Sequence, residues 1–156
     1  MGILGIWMSC LGGIVLKEIS YTKQVSEITE EMIADGFFNG WGNPPSKAKH
    51  VEILQKSFVS YVAIDTETNQ IVGFINAVSD GVLSAYIPLL EVVKPYQNIG
   101  IARELVRHMV EELKDVYMVD LLCDGEFQAF YEKMGFFRGR GMMIRNYARQ
   151  NGNDVN

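Results

Sequence analysis

The residues best suited to chemistry gather at one junction, EVVKPYQNIGIAREL, residues 91–105, where an apolar stretch gives way to an amphipathic one. Gln97, Asn98, Ile99, Gly100, Ile101, Ala102 and Arg103 open the second part. Amides in the first turn of a helix have no acceptor inside it, and the helix dipole adds partial positive charge at the same place. Small residues at 100 and 102 would let an anion such as a pyrophosphate approach those amides. The alternative is that Gly100 and Ala102 only permit close packing of helix on sheet. Neither a P-loop nor a dinucleotide turn is written here, because no Gly-Lys-Ser/Thr follows and the glycine spacing differs.

Glu91 is a lone carboxylate within IPLLEVV, and a charge in a buried strand is costly unless it is paired or faces a cavity. Burial would raise its pKa toward neutrality, which suits a base accepting the proton of an amine. A buried salt bridge or a rim position are the structural alternatives. Tyr86 is the competing polar group on the same strand, and Pro88 between them removes a ladder donor. His50 and His108 are expected to face solvent on helices. Cys123 has no neighbouring histidine and is not expected to act as a nucleophile.

The elements that must position these groups follow from periodicity. Residues 13–20 read as a strand and residues 23–38 as a helix, with Val25, Ile28, Met32, Ile33 and Phe37 at helical spacing. FFNGWGNPPS is a loop, after which Ser46 caps a short helix reaching about Gln55. Residues 58–65 and 71–78 form a hairpin, and a third strand over 83–93 is apolar enough to be buried on both faces. A strongly amphipathic helix over 99–114 comes next. It is followed by a strand over 116–123, a short helix over 126–134 ended by Gly135, and a terminal strand or hairpin over 136–145.

With 156 residues, 48% of them hydrophobic, and a net charge of −5, the chain is long and apolar enough for one globular α/β domain. We divide it into an apolar extension over 1–12, a single domain over 13–148 and a flexible tail over 149–156. The acidic balance argues against nucleic acid or an anionic bilayer as the main partner. Two cysteines, Cys10 and Cys123, make no disulfide framework and no zinc pattern, so a reducing, cytoplasmic setting and no metal are expected. The uncharged stretch 1–16 is too short and too glycine-rich for a membrane span.

Two motifs, in order, resemble the GCN5-related N-acetyltransferase (GNAT) superfamily. Gln97, Gly100 and Ala102 match its Gln/Arg-x-x-Gly-x-Gly/Ala pyrophosphate loop, and DGEFQAFYEKMGF, residues 124–136, looks like its last helix. The resemblance implies a mixed, mostly antiparallel sheet splayed between strands 4 and 5, flanked by helices on both faces. It implies acetyl-CoA as co-substrate, its pantetheine arm beside the main chain of Leu90, Glu91 and Val92 and its pyrophosphate on the amides of residues 98–103. Tyr131 falls at the position of the family's general acid, with a core tyrosine as the plain alternative. Asp124 stands where relatives carry a cofactor-touching asparagine, and Lys94 and Pro95 depart from the usual wording of the turn.

The acceptor, a small-molecule or peptide amine, would meet Phe38, Trp41 and Tyr86, with Phe37, Asn43 and Glu91 nearby. The alternative for Trp41 is an anchor for its loop. The resemblance admits a homodimer. The implied activity is direct acetyl transfer to an amine in a ternary complex, the alternative being a non-catalytic acyl-CoA-binding module of the same fold.

Overall fold

A computed structural model describes residues 17–153. Its sheet has five strands in the order of the chain: β1 Ile19–Thr22, β2 Val59–Asp65, β3 Gln70–Ser79, β4 Ser84–Val92 and β5 Met118–Asp120. The first four pair antiparallel, and β4 pairs parallel with β5. Helix α1, Lys47–Lys56, covers one face and α2, Ile101–Glu112, the other, while the short α3, Gln128–Glu132, follows β5. The mixed sheet with helices on both faces is the fold anticipated. No helix among the described residues is long and apolar enough to cross a membrane.

Helix α2 forms because Ile101, Leu105, Val106 and Met109 fall on one stripe, and all four are buried against β3 and its neighbours. Each such side chain contributes roughly 1.5–3 kcal/mol when fully buried. The close approach comes from Gly73 on β3, where a Cβ would stand 3.1 Å from Ile101 and 3.3 Å from Leu105. Helix α1 starts as expected, with the Ser46 hydroxyl accepting the Lys49 amide at 3.1 Å.

Four expectations need correction. Residues 23–38 do not form a helix. Only a 3-10 turn, Glu30–Met32, survives, because Ile33 leaves it to bridge Ile71 and the Ala34 amide bonds the Ile71 carbonyl. Sheet pairing here outweighs an apolar spacing that fits a helix equally well. Strand β4 is not buried on both faces, since Pro88 is exposed and Leu89, Leu90 and Glu91 are half-buried. His50 is buried, wedged edge-on among Phe37, Phe38 and Phe74. Residues 136–145 form neither strand nor hairpin. The extension over 1–12 lies outside the described residues. Tyr147–Arg149, at the expected boundary between domain and tail, makes a 3-10 turn.

Candidate active site

The site begins where β5 leaves β4. Their pairing covers only Ser84 with Met118, Ala85 with Val119 and Tyr86 with Asp120. Beyond Tyr86, β4 runs on to Val92 with no strand on that edge. The sheet is therefore open between its fourth and fifth strands. The irregularity on the other side of β4 lies in the same place: the ladder to β3 shifts between Asn76 and Val78, and β4 carries an extra residue around Ile87 and Pro88. A proline has no amide to offer, so the strand is bent where it cannot pair.

Main-chain groups alternate sides along a strand. The Val93 amide bonds the Val72 carbonyl at 2.9 Å, whereas the Val92 carbonyl turns outward and accepts from Gln97 Nε2 at 2.8 Å. By that alternation Leu90 also presents its main chain to the open edge. Gln97 thus has a local task, tying the turn after β4 back to the strand end. Tyr96 does the same toward the sheet by donating its hydroxyl to Asp65.

The turn then enters α2 through two left-handed residues, Asn98 at φ 63° and Gly100 at φ 96°. Gly100 is the N-cap, with no side-chain cap. Among the described residues no acceptor takes the amides of Asn98, Ile99, Gly100, Ile101, Ala102 or Arg103. No atom stands within 4 Å of where a Gly100 Cβ would be. Close packing therefore does not explain Gly100; Gly73 supplies that, and the space before the loop is open. The Ile101 side chain belongs to the core, so only its main chain faces the loop. The exposed Arg103 has no ion pair among the described residues. Unpartnered amides at the positive end of a helix are donors an anion can use.

Glu91 and Tyr131 lie on opposite sides of this edge. Glu91 pairs across the ladder with Phe74, whose ring belongs to the α1-side core. Leu90 and Tyr131 both pack against the α2-side core. One Glu91 oxygen accepts the Phe38 amide at 2.7 Å. Burial raises the Glu91 pKa, and hydrogen bonds from the Phe38 and Asn39 amides oppose the rise. Tyr131 sits between the rings of Phe130 and Phe136. Its pKa is pushed up to about 12, chiefly by burial and further by the neighbouring Cys123. Its hydroxyl makes no hydrogen bond among the described residues.

The acceptor-side residues separate. Phe38 is buried at 3% exposure with φ 57°, packed in the α1-side core while lining a small cavity with Phe37, Ser46, Lys47 and His50. Its strained backbone is stabilised by the bond to Glu91, by edge-on contacts with Trp41 and His50 and by a tilted one with Phe74. Trp41 keeps 40% of its surface in solvent while resting on Phe38. Tyr86 lines an open cleft of about 470 Å³ with Val78, Ser79, Asp80, Ser84, Ala85 and Asp120. Asp124 is exposed and starts the 3-10 turn Gly125–Phe127 without capping it.

Two polar residues beside this edge escape a reading of the residues alone. Asp120 meets Tyr86 in register at the point of divergence, a place known only once β5 has been aligned on β4. Asn76, buried opposite Leu89, donates to Ser57 Oγ at 2.9 Å but leaves Oδ1 without a partner. An asparagine inside INAVS was the available signal. Among the described residues no cluster of histidine, cysteine or carboxylates is arranged to hold a metal.

Comparison with known proteins agrees with this geometry. The sequence profile of the acetyltransferase (GNAT) family matches residues 26–136. A candidate acetyltransferase of Deinococcus radiodurans R1 shares 39% identity, with 88% of this chain and 94% of that one covered and a TM-score of 0.82. A GNAT-family acetyltransferase of Streptococcus pneumoniae TIGR4 is 28% identical over 83% of this chain and 98% of its own, with a TM-score of 0.67. An uncharacterized N-acetyltransferase, ycf52, of Porphyra purpurea is 24% identical over 130 residues, 80% of this chain and 74% of that protein.

Proposed function

The chain belongs to the GNAT acetyltransferase family, and on that premise we propose that it moves an acetyl group from acetyl-CoA to an amine directly, within a ternary complex. The observation that carries the reading is the pairing of an open β4 edge with a loop of unpartnered amides at the start of α2. Both features fit one elongated ligand with amide groups along its length and a pyrophosphate at its far part. Leu90 and Val92 would hold its amides as a neighbouring strand would, and residues 98–103 its phosphates, with Gln97 fixing the loop. Arg103 stands free to add a charge. Asp124, a carboxylate, would stay at the rim.

Bound acetyl-CoA supplies an activated thioester carbonyl. The amine nitrogen forms the new bond to that carbon, the carbon–sulfur bond breaks, the amine loses a proton and the sulfur gains one. Glu91 is the base we assign, directly or through a water, since its burial lifts its pKa toward the range in which it can both take and release a proton. The outward main chain near Glu91 and Val92 offers donors for the developing oxyanion.

Tyr131 serves the leaving sulfur. A thiol titrates at about 8.5, so a phenol held near 12 gives up its proton to a free thiolate uphill by a factor of roughly a thousand. Its first service is a hydrogen bond donated to sulfur as negative charge builds. Small cationic amines suit the acceptor side, where Tyr86, Asp80 and Asp120 line one cleft.

A non-catalytic acyl-CoA-binding module is the second reading, and one observation favours it: the Glu91 carboxylate already accepts from two main-chain amides. Titration calorimetry with CoA, together with thiol release measured across a panel of amines, separates the two. Binding with thiol release supports transfer, binding without it the module, and no binding removes both.

A further inference from the structure

Asp65 closes β2 with a buried carboxylate that forms no ion pair among the described residues. A charge in such a place is costly unless hydrogen bonds hold it. One oxygen accepts the Glu67 amide at 2.9 Å, which shapes the turn from β2 into β3. A serine or asparagine would serve that turn as well. The other oxygen does something local geometry does not ask for: it accepts the hydroxyl of Tyr96, 31 residues away in sequence.

Tyr96 ends the 3-10 turn Lys94–Tyr96, and the Lys17 ammonium lies 3.5 Å from the centre of its ring. The bond to Asp65 holds the carboxyl pKa below its ordinary value and the phenol pKa above its own, so the charge stays on Asp65 and the proton on Tyr96. Hydrogen bonds to an ionised acceptor are about twice as strong as neutral ones. Gln97 follows and is tied to the Val92 carbonyl at 2.8 Å. Residues 96 and 97 are thus fastened to β2 and to β4, and the chain immediately beyond turns left-handed at Asn98. A left-handed non-glycine residue persists only where its surroundings over-determine it. The amides of residues 98–103 bond nothing among the described residues. A loop whose amides are kept free cannot be held by them, so it must be held from its base.

We propose that Asp65 and Tyr96 are positioning residues for phosphate binding: the bond between them fixes the base of the loop on the sheet, so that the amides of residues 98–103 stand in place before a ligand arrives. The proposal rests on residues 98–103 being the phosphate site. Donors fixed beforehand bind without the ordering cost that a slack loop incurs. The effect therefore falls on the phosphate-bearing part of the ligand and spares the pantetheine arm, which would meet Leu90 and Val92 on the strand itself.

Tyr96→Phe removes the hydroxyl and leaves the ring beneath Lys17. Asp65→Ser keeps an acceptor for the Glu67 amide but is too short to reach Tyr96. In calorimetry each should weaken CoA binding about five- to tenfold and move dephosphorylated pantetheine less than about twofold. The double variant should bind CoA no more weakly than the worse single one, because both substitutions break the same bond. The KM for acetyl-CoA should rise by the same factor, with kcat within about twofold of the wild type. Hydrogen exchange on the free chain is the arm that needs no ligand. The Tyr96 and Gln97 amides, which bond the Val93 and Lys94 carbonyls, should exchange severalfold faster in both variants while amides inside α2 keep their wild-type rates. A wild-type chain that binds CoA no better than pantetheine removes the phosphate site and the proposal with it. A preference for CoA that survives both substitutions, or exchange at Tyr96 and Gln97 that neither alters, overturns the positioning role alone.

Discussion

One carboxylate oxygen of Glu91 accepts the main-chain amide of Phe38 at 2.7 Å. The contact joins β4 to the loop between residues 34 and 46, and it holds Phe38 in a left-handed conformation that only a few non-glycine residues adopt. The side chain we propose as the base thus also holds the loop that carries Phe38.

These two tasks are separable. Glu91→Gln keeps an oxygen for the Phe38 amide and loses the base, whereas Glu91→Ala loses both. If Glu91 accepts the amine proton, turnover should fall about 10²–10⁴-fold in either variant. The acid limb of the wild-type pH profile, where rate drops as Glu91 protonates, should vanish from Glu91→Gln. Only Glu91→Ala should also lower stability, by about 1–3 kcal/mol, because it strands a buried amide. Full activity in Glu91→Gln would confine the residue to holding the loop.

Tyr131→Phe removes one hydroxyl that makes no hydrogen bond among the described residues, so the fold should be undisturbed. Turnover should fall by at least about tenfold while the KM for acetyl-CoA moves less than about threefold, the pattern of a contact made only in the transition state. With its pKa near 12, the phenol remains protonated and should contribute no alkaline limb up to about pH 10. An unchanged turnover number removes Tyr131 from the reaction.

Gly100→Val tests the anion loop. The residue stands at φ 96° with open space ahead of it, so a β-branched side chain both strains the turn and fills the approach to the free amides. CoA should bind at least about tenfold more weakly by calorimetry, and dephosphorylated pantetheine should be affected far less. Equal losses for the two ligands would move the phosphates elsewhere.

His50 makes stability pH-dependent. Burial lowers its pKa from 6.5 to about 4, so the folded chain holds it neutral where the unfolded chain binds a proton. Stability is at its full value above the unfolded pKa and declines as pH falls from about 6.5 to about 4, by roughly 3 kcal/mol in total. Denaturation midpoints measured across that window should flatten in His50→Leu. A slope unaltered by the substitution would assign the acid sensitivity to the carboxylates instead.

Local pattern was enough for the hairpin of β2 and β3, for α1 with its Ser46 cap and for α2, because two apolar runs around a turn, a capping serine and an amphipathic stripe are each written within a few residues. The turn at Gly100 into α2 was also legible, since a glycine before an amphipathic helix is a property of neighbours in sequence. The same reasoning failed over residues 23–38, where Ile33 chose Ile71 over its own helix, and at His50, whose polarity hid three phenylalanine neighbours.

What the sequence determined by itself, then, was the family, the order of the central elements and the chemistry on offer: a carboxylate in β4, free amides after it, a tyrosine on the last helix. Tertiary structure decided what those groups do to each other. It parted β5 from β4 at Tyr86, set Glu91 and Tyr131 on opposite sides of the gap, packed Phe38 into the α1-side core, and left residues 136–145 without the pairing their pattern calls for. The reason is range. Periodicity and capping act within a few residues, whereas register, burial and the completion of a strand depend on chain segments brought together only when the sheet has formed.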